Sequence, residues 1–95
     1  MGQLDGKVAL VTGAGDGIGA GIARVFAAEG ARVVVAEINP DTGRAVADSL
    51  GDAGHFVACD VADKSQVESA VTSAVDHFGT LDVLVNNAWG GGRIS

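Results

Sequence analysis

An apolar run, Val8-Ala9-Leu10-Val11, feeds directly into Thr12-Gly13-Ala14-Gly15-Asp16-Gly17-Ile18-Gly19, and a helix-like pattern (Ile18, Ile22, Val25, Phe26) follows. Strand, glycine turn and helix in immediate succession restrict the fold more than any other feature of the chain. The arrangement brings backbone N–H groups and a helix N-terminus to one place, where they can face a phosphate. Glycine suits the turn because so tight a bend uses unusual φ/ψ, and because a Cβ would hold the backbone away from a diphosphate. A glycine cluster alone occurs in many turns. The strand before it and the helix after it point to dinucleotide binding.

The rest of the chain repeats the alternation with glycine-marked joints. The pattern predicts a first strand over Lys7–Val11, a helix from Ile18 to about Glu29 closed by Gly30, and a second strand over Arg32–Ala36. That β-branched second strand reads as buried on both faces, as in a parallel sheet. Asn39-Pro40 supplies an N-cap and a proline at the first helical position. The helix they open carries Val46 and Leu50 and stops at Gly51. A third strand is expected over His55–Cys59. Asp63 or Ser65 caps a third helix, with Gln66 or Glu68 as capping-box partner. Its stripe is Val67, Val71, Ala74 and Phe78, and Gly79 ends it before a fourth strand over Leu81–Val85.

Four strands alternating with three helices imply an α/β fold, a Rossmann-type doubly wound parallel sheet. Right-handed crossovers place the first two helices on one face and the third on the other. The expected strand order is 3-2-1-4, with a ligand crevice at the carboxyl ends of strands one and four.

The glycine spacing refines the ligand class. G-x-G-x-x-G is met only in its looser form ending in alanine, through Gly15, Gly17 and Ala20, whereas T-G-x-x-x-G-I-G is met in full through Thr12, Gly13, Gly17, Ile18 and Gly19. By this motif the chain resembles the short-chain dehydrogenase/reductase family, in its ordinary, smaller branch. The resemblance runs from Leu4 to Ala88 and implies that Gly13, Gly15, Asp16, Gly17, Ile18 and Gly19 adjoin the phosphates and adenosine ribose of an NAD(P) coenzyme.

Glu37 stands twenty residues after Gly17 at the end of the second strand, placed to accept hydrogen bonds from ribose hydroxyls and to repel a 2′-phosphate. Its plainer alternative is a solvated strand-end acid. Asp16 lies where NADP-preferring members often carry a basic residue, and Ile38 and Asn39 add no positive charge, so NAD is favoured over NADP. The resemblance gives Asp60 the adenine amino group and Val61 the ring face; alternatively Asp60 only caps the turn into the next helix. Asn86-Asn87-Ala88 matches the start of the family's N-N-A-G motif, with Asn87 bracing the sheet and lining the groove and Ala88 near the ribose. Trp89 departs from it where glycine is usual; Gly90, Gly91 and Gly92 could absorb the change, or the ring could wall a substrate pocket.

Other residues carry less. His55 and His77 have no acid at a useful spacing and read as surface or strand-edge residues, Cys59 as a small buried hydrophobe, and no cluster has metal-ligand spacing. A net charge of −6 argues against nucleic acid or an anionic membrane as partner. No apolar run reaches membrane-span length, no secretory leader is visible and the single cysteine suits a reducing compartment, so a cytoplasmic location is expected.

Family members move a proton with a Ser and a Tyr-x-x-x-Lys pair, positions beyond the fourth strand; this chain has no tyrosine. The expectation is therefore a coenzyme-binding half-domain over residues 1–95, truncated at its C-terminus, with the fourth strand at an exposed sheet edge. It would belong to an oxidoreductase acting on an alcohol or carbonyl compound, a homo-oligomer at full length with a small-molecule substrate. The alternatives are a non-catalytic NAD-binding module and a methyltransferase-like nucleotide-binding fold.

Overall fold

The structure, a computed structural model, describes residues 2–15 and 17–87. Its elements run β1 (Val8–Thr12), α1 (Gly17–Ala28), β2 (Arg32–Glu37), α2 (Pro40–Ser49), a short 3-10 turn (Gly51–Ala53), β3 (Gly54–Ala58), α3 (Lys64–Phe78) and β4 (Val83–Asn86). All strand pairs are parallel and the sheet order is β3-β2-β1-β4, as expected from the alternation.

Side chains of adjacent strand residues point to opposite faces, and the two cores follow that alternation. Val11, Val33 and Val35 meet Ala20 and Ala23 of α1 and Val46 and Ala47 of α2 on one face. Leu10, Val34 and Ala36 meet Cys59 and Ala70 and Ala74 of α3 on the other. Every residue of β1 is buried, which explains its unbroken apolar sequence. The line of α3 that reaches the sheet is Ala70 and Ala74, whose small side chains permit close approach; Val67, Val71 and Phe78 flank it, partly buried.

Local signals set the helix ends. Asn39 Oδ1 accepts the backbone N–H groups of Asp41 at 3.0 Å and Thr42 at 3.4 Å, capping α2. Asp63 caps α3 through Ser65 N–H at 3.0 Å, and Gly79 closes it with a left-handed φ of 90°. Gln66 completes no reciprocal capping box: its Oε1 accepts Asp60 N–H at 2.9 Å instead. β4 starts two residues later than its apolar run suggests. Asp82 donates its N–H to Val8 O and accepts Val8 N–H on Oδ2, both at 2.9 Å, so a side chain takes the place of a ladder carbonyl until Val83. Among the described residues β4 is an edge strand, and Leu84 on it is 54% exposed.

Candidate functional site

The strand register gathers the candidate residues at one edge of the sheet. Thr12 lies opposite both Ala36 and Asn86, and Glu37 opposite Ala58. The segments leaving the carboxyl ends of all four strands therefore begin side by side. Chain direction across the sheet reverses between β1 and β4, the position where open parallel sheets form a ligand crevice.

The glycine turn is held from beneath by the end of β2. Gly13 N–H and Ala14 N–H both donate to Ala36 O, at 2.8 and 3.4 Å, and Gly15 N–H donates to Glu37 Oε1 at 3.0 Å. Gly13 has a φ of 65°, which a side chain would strain. With these amides engaged in the fold, the anion-binding capacity of the turn lies in the first turn of α1, at Gly17, Ile18 and Gly19, whose N–H groups have no intrahelical carbonyl partner.

The two glycines of that helix turn do different work. A Cβ on Gly17 would meet nothing within 4 Å, so its backbone is open to approach by a ligand. A Cβ on Gly19 would collide with the Gly13 carbonyl and lie 2.8 Å from Asn87 Nδ2. Gly19 thus lets the helix start rest against the turn and against the end of β4. Ile18 between them is 76% exposed. The first-turn amides of α1, which no intrahelical carbonyl engages, suit a diphosphate.

Glu37 is 8% exposed, which removes the alternative of a solvated strand-end acid. Its second oxygen, Oε2, accepts Asn39 N–H at 3.0 Å, so the carboxylate joins the glycine turn to the start of α2. Asp60 is half-buried, and its Oδ1 accepts Ala62 N–H at 2.9 Å, giving it the turn-capping role that the sequence allowed. Val61, half-buried, packs on the Leu10–Cys59 side of the sheet. Asn87, also half-buried, donates its N–H to Thr12 Oγ1 at 2.9 Å. Asp16, Ala88, Trp89 and the Gly90–Gly92 run lie outside the described residues.

Cys59 is buried, and burial first, then the nearby Asp60 and Asp63 carboxylates, pushes its thiol above the ordinary range. That makes it a core residue with little thiolate. His55 lies on β3 at the edge of the sheet and His77 is exposed on α3, as expected, and their rings stack at 3.9 Å with 9° between planes, with Phe78 edge-on against both. The two histidines border a concavity along α3 beside β3, lined also by Glu68, Ser73 and Asp76. Their separation by 22 positions hid the pair from sequence periodicity.

Reasoning from sequence passed over the Thr12 hydroxyl, which ties the end of β1 to the segment leaving β4; a polar residue closing an apolar strand was the available signal. Gln66, expected as a capping-box partner, instead ties the first turn of α3 to the loop after β3.

Known proteins place this geometry. The family model for short chain dehydrogenases matches residues 7–93. Sorbitol dehydrogenase of Cereibacter sphaeroides is 44% identical over 86 residues, covering 90% of this chain and 34% of that protein. Momilactone A synthase of Oryza sativa subsp. japonica is 51% identical over 87 residues, covering 90% of this chain and 32% of that protein. The crystal structure of 3-ketoacyl-(acyl-carrier-protein) reductase from Brucella melitensis, complexed with NADH, superposes with a TM-score of 0.84 at 44% identity, over 86% of this chain and 34% of that one. The chain thus spans about a third of the length of these relatives. The match leaves no place for a methyltransferase-like fold. With its four parallel strands, its T-G-x-x-x-G-I-G turn and its matched family model, the chain belongs to the short-chain dehydrogenase family.

Proposed function

We propose that this chain is the coenzyme-binding part of an NAD(P)-dependent short-chain oxidoreductase, which transfers hydride between a nicotinamide and an alcohol or carbonyl substrate. One observation carries the reading: the open first turn of α1 at Gly17 and the buried Glu37 carboxylate meet on the same glycine turn. In this reading the diphosphate rests on the amides of Gly17, Ile18 and Gly19, while Gly13 and Gly15 shape the turn beneath it. Glu37 accepts the adenosine ribose hydroxyls, Asp60 and Val61 take the adenine, and Asn87 and Ala88 line the groove toward the nicotinamide.

NAD is the favoured coenzyme, because a buried carboxylate at the ribose repels a 2′-phosphate, and Asp16, Ile38 and Asn39 bring no cation to offset it. The relative solved with NADH is in keeping with this choice. The bound coenzyme supplies or accepts the hydride, and the residues of this chain bind and orient it. The proton-moving residues, the small-molecule substrate and a homo-oligomeric assembly belong, on this proposal, to a cytoplasmic protein of the relatives' length. No helix among the described residues is long and apolar enough to cross a membrane.

Calorimetric titration of the chain with NAD and with NADP tests the proposal. NAD binding more tightly than NADP supports it, tighter NADP binding reverses the preference, and binding of neither overturns it.

A further inference from the structure

The three turn amides that β2 captures suggest a second role for its terminal acid. Ala36 O holds Gly13 and Ala14, but Gly15, the residue nearest the helix start, is held by a side chain, Glu37. The same carboxylate holds Asn39 N–H with its other oxygen, so both oxygens are engaged before any ligand arrives. Each oxygen keeps a further lone pair, so the carboxylate can still accept two ribose hydroxyls without releasing either amide. The space around the contact is tight: a Cβ on Gly15 would lie 2.7 Å from both Glu37 Cγ and Thr42 Oγ1.

We propose that Glu37 is a positioning residue for the diphosphate as well as an acceptor for ribose, acting through Gly15 to hold the glycine turn in the shape that presents the amides of α1. The proposal rests on the coenzyme reading above and deepens it. A glutamine at this position cannot do the same work. It offers one carbonyl oxygen and one NH2, and an NH2 facing a backbone N–H leaves either Gly15 or Asn39 without an acceptor. Glu37→Gln is nearly isosteric, so the change is electronic rather than steric.

The ligand that separates the two roles is 2′,3′-dideoxy-ADP, which keeps the diphosphate and adenine but lacks the ribose hydroxyls that Glu37 would bind. Titrations of ADP and of 2′,3′-dideoxy-ADP are compared between the unmodified chain and Glu37→Gln. The variant is expected to lose about tenfold in affinity for the dideoxy ligand, as one charge-assisted hydrogen bond within the turn is removed. ADP binding by the unmodified chain with equal dideoxy-ADP affinity in chain and variant overturns the positioning role alone. Absence of ADP binding by the unmodified chain overturns the coenzyme reading and the proposal with it. Amide hydrogen exchange on the unmodified chain is an independent check should the variant fail to fold. Gly15 N–H is expected to be protected, and exchange at the rate of an open loop overturns the proposal.

Discussion

Asn87 donates its backbone N–H to the hydroxyl oxygen of Thr12 at 2.9 Å, across 75 residues of chain. The Thr12 hydroxyl in turn faces Val85 O at 3.3 Å and Asn86 Oδ1 at 3.1 Å, so one side chain closes the β1 and β4 ends against each other. Thr12 is 2% exposed.

Thr12→Val keeps the shape and removes the acceptor, leaving the Asn87 N–H without its partner. Urea unfolding of this variant is expected to show a loss of about 1–3 kcal/mol. Thr12→Ser, which keeps the hydroxyl, is expected to cost less. Equal stabilities for the valine variant and the unmodified chain would show that the bond contributes nothing.

Two glycines of α1 provide a matched pair. Gly19 has the Gly13 carbonyl where its Cβ would be, whereas a Cβ on Gly21 would meet nothing within 4 Å. Gly19→Ala is expected to destabilise by about 1–3 kcal/mol, as overpacking does. Gly21→Ala is expected to stabilise by about 0.5–1 kcal/mol, because alanine has less backbone freedom to lose. Thermal melting of the two variants gives opposite signs if the helix start packs on the turn as described.

The stacked histidines give the chain a pH dependence. His55 is held below the ordinary histidine range, first by burial and then by the neighbouring His77. A base whose folded pKa is lowered stabilises the fold while it is neutral, above its unfolded pKa near ~6.5, and that stability is lost as pH falls through the folded value. Glu68 and Asp76 line the same concavity. The melting temperature is expected to fall from about pH 7 to about pH 5, with a flatter profile for His55→Phe, which keeps an aromatic ring in the stack. The same slope in both proteins would remove His55 from the account.

Coenzyme choice rests on the end of β2. The double variant Glu37→Ala with Ile38→Arg, at a position 65% exposed, removes the carboxylate and adds a cation beside it. The NAD-to-NADP affinity ratio is expected to fall by roughly ten- to a hundredfold, the worth of a hydrogen bond to a charged group. An unchanged ratio in paired titrations would detach Glu37 from coenzyme selection.

Much of this architecture is legible in the chain because its signals are local. Gly13 and Gly19 announce the turn, Asn39-Pro40 and Asp63 open their helices, and the β-branched run of β2 declares a strand buried on both faces. The strand order follows from the doubly wound pattern, and the faces of the helices then follow from crossover handedness. Contacts set by register between distant segments are not local and left no periodic trace. The His55–His77 stack, the grip of Glu37 on Gly15 and the substitution of Asp82 Oδ2 for a ladder carbonyl are of this kind. Each needs two elements in place before either residue acquires its meaning.

The measurement that tests the central claim most directly is amide chemical-shift mapping of the chain during titration with NAD. The largest shifts are expected at Gly15, Gly17, Ile18 and Gly19, around the start of α1 and its support. Shifts confined to the His55, Ser73 and His77 concavity, or none along the glycine turn, would contradict it.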